Sequence, residues 1–246
     1  MKKFLLLIFL FLLSIPSFSQ VTGGSALIPG ELSWKLGVGG GFSYGFSNGS
    51  LFGHCGYDFK NLSGPGFYIS LNASMPINYE SDVYALVSYQ SFNLESTEEM
   101  MRIKAVYGEP APVEIKMESK AKVDVSSINL NLWYKRKIFS DFFVLGGLAF
   151  HFILDNEINQ DETIKDDNFV FYGSEKTSDL IYKGEIDNLN SFQFFLSCGF
   201  GYDFRIGYKY ILTPIFYFNY PLTKFVSDNS LKLMDINLGL QFSYLF

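Results

Sequence analysis

Beyond residue 33 the chain alternates apolar and polar side chains with a period of two, in eight separate segments. The last, residues 231–246, sets Ile236, Leu238, Leu240, Phe242, Tyr244 and Phe246 against Asp235, Asn237, Gly239, Gln241 and Ser243. Residues 191–205 repeat the pattern, with Phe192, Phe194, Leu196, Phe200 and Tyr202 against Gln193, Ser197, Gly199, Asp203 and Arg205. Residues 34–46, 67–78, 127–135, 142–154 and 209–220 behave alike. Residues 83–94 alternate less cleanly and change phase near Ser91, which predicts a β-bulge there. Successive side chains on a strand point to opposite faces, so each segment is a strand with one apolar and one polar side.

Alternation defines two faces without saying which one looks outward. The polar face is Gly, Ser, Asn, Gln and isolated charges, with almost none of the Lys/Glu coating that a water-facing surface carries. Small residues suit the crowded interior of an eight-stranded barrel, which side chains just fill. The Phe- and Leu-rich face is then expected to meet lipid, giving an all-β, eight-stranded, antiparallel, up-and-down transmembrane barrel.

The connections fit that architecture. Residues 79–82, 139–141 and 205–208 are short links. Residues 47–65, 95–126 and 155–188 are long, and 223–230 is of middle length. Short turns on one side and long loops on the other characterise outer-membrane barrels, the long loops being extracellular. With eight strands both termini are expected in the periplasm. Residues 101–107 and 113–125 alternate again around Gly108-Glu109-Pro110-Ala111-Pro112, which predicts a hairpin protruding beyond the membrane. Trp34, Tyr79, Tyr134, Phe139, Tyr208 and Tyr210 fall near strand ends, where an interfacial aromatic girdle belongs.

Composition adds the export route. Lys2 and Lys3 precede an apolar run from Phe4 to Leu13 and a short polar stretch with Ser17 and Ser19. This predicts a signal peptide over residues 1–19, cut before Gln20, and a barrel domain over 20–246. Beyond it no apolar run is long enough for a transmembrane helix, which needs about 20 residues. Losing Lys2 and Lys3 takes the formal charge from −6 to −8, so nucleic acid is not an expected partner. Cys55 and Cys198 are too few for a disulfide framework and are expected as free thiols.

With the strands placed, the chain resembles the small eight-stranded outer-membrane barrels of the OmpX and OmpA-membrane-domain type. It looks more particularly like the PorT-type outer-membrane β-barrel group of Bacteroidota. The likeness rests on the pattern of the whole mature chain and on Leu240-Gln241-Phe242-Ser243-Tyr244-Leu245-Phe246. It implies that Phe242, Tyr244 and the terminal Phe246 are the signal read by the barrel-assembly machinery. It also implies outer-membrane lipid and lipopolysaccharide as surroundings.

Few residues suggest chemistry. His151 is expected in the lumen beside Ala149, as a hydrogen-bonded histidine. A catalytic base would need a partnered nucleophile, and Phe152 and Ile153 follow it. His54, beside Cys55, lacks enough neighbouring ligands for a metal site. Lys35, Asp203, Arg205, Lys209 and Asp235 are expected in the lumen as an ion-pair network, since buried charges persist only when paired; the first four also fall near the periplasmic rim, where water alone can satisfy some of them. The ten acidic residues of 155–188, Asp161-Glu162 and Asp166-Asp167 among them, read as a solvated surface rather than a Ca²⁺ site. No cofactor or metal is expected. The expected protein is a monomeric, non-enzymatic barrel acting through its extracellular loops, in surface interaction or envelope structure, with an extracellular or secretion-system protein as a partner. A transport role, as a narrow pore or a secretion accessory, is the alternative. A lipid-modifying enzyme would require a nucleophile beside His151.

Overall fold

The structure, a computed structural model, describes residues 33–53, 56–166, 169–171, 177–227 and 231–246. The expected signal peptide, His54 and Cys55 lie outside the described residues. Among the described residues twelve strands follow in chain order: β1 (Lys35–Asn48), β2 (Ser50–Phe52), β3 (Asp58–Lys60), β4 (Ser63–Asn78), β5 (Ser81–Lys104) and β6 (Val113–Phe139). Then come β7 (Phe142–Ile164), β8 (Ser178–Gly184), β9 (Phe192–Tyr202), β10 (Phe204–Ile206), β11 (Tyr210–Pro221) and β12 (Lys232–Leu245).

Eight of them close a ring. Each neighbour pair from β1 through β4, β5, β6, β7, β9 and β11 to β12 is antiparallel, and β12 pairs back onto β1 from Leu245↔Lys35 to Lys232↔Asn48. Closure pairs the backbone of the first and last strands and leaves no open edge at this level. The turns 79–80, 140–141 and 207–209 mark one end of the ring. Ser140 (φ 49°) and Gly207 (φ 67°) adopt the left-handed backbone that such tight turns require.

The faces follow the alternation. Phe42 is 80 % exposed, and Ile69, Leu238 and Leu240 are all more than half exposed, whereas Ser43, Ser70, Asn237 and Gln241 are buried. The outward apolar residues form a continuous belt around the ring, far larger than a monomer tolerates in water. Trp34, Tyr79, Tyr134, Phe139, Tyr208 and Tyr210 are all exposed near the short-turn end of this belt.

Above the belt, β5, β6 and β7 run on, and the polarity inverts. β6 is 27 residues long, about 90 Å at the usual rise per residue, whereas a spanning strand needs roughly 9–11 residues. Its outward residues are Ile128, Leu130, Leu132 and Tyr134 in the belt, but Glu114, Lys116, Glu118, Lys120, Lys122 and Asp124 beyond it. Its inward residues change in the opposite sense, from Asn131, Asn129 and Ser127 to Val125, Val123, Ala121 and Met117. Charge moves out and the core turns apolar, the pattern of a wall with water outside it.

This inversion corrects the bulge expected at Ser91. The β5–β6 register is unbroken from Ser81↔Arg136 to Lys104↔Val113. Phe92 and Leu94 stay on the inward face of Gln90, and only the chemistry of the two faces changes. The bulge at this level lies in β7, where Ser127 pairs with Ile153 and Ser126 with Asp155, skipping Leu154. A second correction concerns 155–188, which is not one loop: β7 continues to Ile164 and pairs with β8.

Large inward rings need gaps in the opposing wall. A Cβ at Gly239 would overlap the Tyr68 hydroxyl and come within 2.6 Å of the Gly40 carbonyl oxygen, whereas one at Gly146 meets nothing within 4 Å. Replacing Gly239 with Val is expected to cost about 1–3 kcal/mol of stability, the usual range for overpacking. Gly146→Ala is the control and should stay near neutral. Urea midpoints of the two variants refolded into vesicles check this, and equal midpoints would refute the packing account.

Candidate functional site

The ring interior is filled in four layers. At the short-turn end, Lys35 on β1 donates to Asp82 on β5 at 3.1 Å and lies 3.7 Å from Asp203. Lys135 on β6 donates to Asp203 at 2.7 Å, and both are nearly fully buried. Ser74 Oγ donates to Asp82 at 2.8 Å and Thr213 Oγ1 to Asp203 at 2.8 Å. Asp203, between β9 and β10, thus ties the early half of the chain to the late half across the lumen.

An aromatic layer follows. Trp133 stacks on Tyr84 with ring centroids 5.7 Å apart and meets Tyr217 edge-on at 5.2 Å, while Tyr217 meets Tyr68 at 5.8 Å. Leu86, Phe143, Leu145 and Ile215 complete it, and the Lys135 ammonium sits 3.7 Å from the centroid of the Phe143 ring.

The third layer is a polar belt that leaves and rejoins β6. Asn129 donates to Gln90. Gln90 Nε2 donates to Ser43 at 2.9 Å and to Asn237 Oδ1 at 2.8 Å. Asn237 and Asn219 both donate to Asp235 Oδ1. Ser197 Oγ donates to Asn219 at 2.6 Å and accepts from Trp133 Nε1 at 2.8 Å.

The fourth layer is apolar and closes the mouth. The β2–β3 hairpin, paired only with itself as a sheet, buries Leu51, Tyr57 and Phe59 against Phe92, Leu94, Val123, Val125 and Ile158. The Tyr57 hydroxyl donates to Glu162 at 2.7 Å, as does Lys104 Nζ, and Arg102 lies over the Tyr57 ring at 4.3 Å. Beside the hairpin a recess of about 340 Å³ is lined by residues including Leu51, Ile158, Tyr182, Ile186 and Val226.

Of the residues singled out from sequence, Lys35, Asp203 and Asp235 lie in these layers. Asp235 accepts from asparagine amides rather than from a cation. His151 is buried, but it packs on Phe195 with ring centroids 4.0 Å apart, and its Nε2 has no hydrogen-bond partner. This corrects the expected hydrogen-bonded histidine: Phe195, inward-facing on the neighbouring strand, takes the place of a polar partner. Arg205 and Lys209 are corrections too, because both are exposed at the rim, below the level where the lumen ends. Arg205 reaches Asp141 at 3.9 Å. Lys209 lies against Tyr244, whose hydrogen bond holds its ammonium above the usual lysine range. Glu162 departs from the expected solvated acidic surface, being buried at the mouth. Asp82 and Lys135 were the unforeseen members. Phe242 is exposed and Tyr244 half-buried on the outer face of β12, and Phe246, just past its end, is exposed. Cys198 is a free thiol on the outer face of β9.

Outside the belt the projecting sheet carries cross-strand ion pairs, Lys120–Glu95 at 2.5 Å and Lys116–Glu99 at 2.6 Å. The lysine hydrogen bonds hold both carboxyls below the usual glutamate range. Among the described residues, no group of three or more His, Cys, Asp or Glu side chains is arranged to hold a metal ion.

No family model matches the chain, and no curated protein matches it. Among solved structures it is similar to Neisserial surface protein A at 11 % identity, covering 87 % of this chain and 97 % of that one with a TM-score of 0.35. It is similar to the attachment invasion locus protein Ail of Yersinia pestis at 12 % identity, covering 86 % and 98 %, with a TM-score of 0.33. It is similar to OprG from Pseudomonas aeruginosa at 12 % identity, covering 89 % and 99 %, with a TM-score of 0.37.

Breaking a buried pair by removing one partner leaves an uncompensated charge and costs about 3–5 kcal/mol. Asp203→Asn is therefore expected to destabilise the barrel by that order, and Asp203→Asn with Lys135→Met to recover most of it. Denaturant unfolding followed by tryptophan fluorescence measures both. A double variant as weak as the single one would mean that packing, not charge, sets the cost.

Proposed function

We propose that this chain is an exported, non-catalytic outer-membrane barrel whose work is done by the part of its wall outside the membrane, in contact with other molecules at the cell surface. The observation that carries the reading is the polarity inversion along β5, β6 and β7. An outward apolar belt needs lipid, because only there is such a surface solvated without cost. The charged outer face and apolar interior above it need water outside. One continuous sheet therefore crosses from one solvent to the other and stands well clear of the bilayer. At its tip Met101, Ile103 and Tyr107 are all more than half exposed, and large aliphatic and aromatic side chains exposed together favour contact with a partner.

The filled lumen supports the same reading. A pore would have to pass the ion cluster, the aromatic layer, the polar belt and the apolar cap in series. The short turns lie at the end away from the projecting sheet, as periplasmic turns do in outer-membrane barrels, and this supports a periplasmic side for that end of the ring. Membership of the PorT-type group remains part of this proposal.

Two measurements test it. A short epitope inserted between Gly108 and Glu109 is expected to be labelled on intact cells, and labelling only after permeabilisation would reverse the orientation. Refolded barrel in a planar bilayer, with insertion shown by protease protection, is expected to give no steady single-channel openings. Openings abolished by Lys35→Met or Asp235→Asn would put transport first.

A further inference from the structure

The short-turn rim holds three cations in one recess. It has a volume of about 760 Å³ and is lined by Tyr79 and Glu80, the run 136–141, and Arg205. Arg136 is the next outward residue after Ile128, Leu130, Leu132 and Tyr134 on β6, so its guanidinium stands at the foot of an apolar stripe. Tyr79 and Phe139, exposed at the same rim, flank the recess.

The cations are only loosely answered by carboxylates. Arg136 lies 3.9 Å from Glu80, Lys137 3.4 Å from Asp141, and Arg205 3.9 Å from the same Asp141. Both arginine side chains are more than half exposed, and exposed pairs of this kind hold their partners weakly. Three cations face two carboxylates, and each guanidinium keeps unused donors in a fork that matches a phosphate. At the opposite end Lys116, Lys120 and Lys165 are bound to Glu99, Glu95 and Glu118 at 2.5–2.8 Å.

We infer that this recess seats the headgroup phosphate of an anionic phospholipid in the leaflet at the short-turn end, with the acyl chains lying along the outward stripe of β6. The inference rests on the membrane reading above. A lipid rather than free phosphate is the occupant because the apolar stripe and the exposed Ile138 lead directly into the cationic recess.

The whole chain is refolded into nanodiscs of phosphatidylethanolamine with a minor share of phosphatidylglycerol. It is then released into mild non-ionic detergent and weighed by native mass spectrometry. Wild type is expected to retain phosphatidylglycerol over phosphatidylethanolamine. Arg136→Gln with Arg205→Gln should retain several-fold less, Glu80→Gln more, and Lys116→Gln with Lys120→Gln as much as wild type. Loss of retention in millimolar inorganic phosphate would overturn the lipid assignment in favour of a simple anion site. Equal retention by all variants, or no headgroup preference, would overturn the site altogether. Failure of the barrel to enter nanodiscs at all, read from co-elution with the discs, would instead refute the membrane reading. Rim side chains are exposed, and heat-modifiable gel migration confirms that each variant has folded.

Discussion

Pairing β12 with β1 is the constraint from which the rest follows. Once those strands bond, the ring has no edge, and its backbone donors and acceptors pair within the sheet. A closed sheet has only an inside and an outside, and a period-two chain must assign each residue to one of them. The outside is dictated by the solvent. The inside must then be filled by whatever side chains remain, because an eight-stranded ring is too narrow to leave empty. The four lumen layers are four chemical solutions to the same filling problem. Charges are paired at the rim and rings are stacked below the middle. Amides are chained into a belt, and an apolar cap is supplied by the β2–β3 hairpin.

β6 condenses this logic into one strand. Its odd-numbered residues face inward from Ile115 to Lys135 without a break. Along that face the chemistry runs from aliphatic to amide to indole to ammonium. The outward face runs from charged to aliphatic and back to charged at Arg136. Geometry is constant while the medium on each side changes, so side-chain chemistry alone locates the two boundaries of the belt, near Ser126 and Tyr134.

The ring was legible in the sequence because alternation depends only on local strand geometry and on one face being apolar. The same signal misled where the medium changed. At Ser91 the inward face becomes Phe92 and Leu94, and inversion of polarity looks like a slip of register. The paired ends of the lumen were harder to read. Lys135 follows Trp133 by two and so shares its face, but a lysine at a strand end reads as solvated until Asp203 is seen beside it. Asp82 sits one residue before the recognisable strand. Arg205 shares the parity of Asp203 yet lies beyond the lumen, since alternation gives direction but not depth. The role of the β2–β3 hairpin was invisible, because loop residues such as Tyr57 and Phe59 carry no period to announce their burial.

The ion cluster at the rim bears on how such a chain can be assembled. Lys35, Asp82 and Lys135 all come from the first half of the ring, and together they carry one more positive charge than negative. The carboxylate that balances them, Asp203, arrives only after β9 has been laid down. Without Asp203 the cluster would hold an unanswered ammonium, and buried charges are tolerated only when paired. The charges of the rim cluster therefore balance only once the strand order reaches β9, so its electrostatics belong to the nearly closed ring and not to any of its halves.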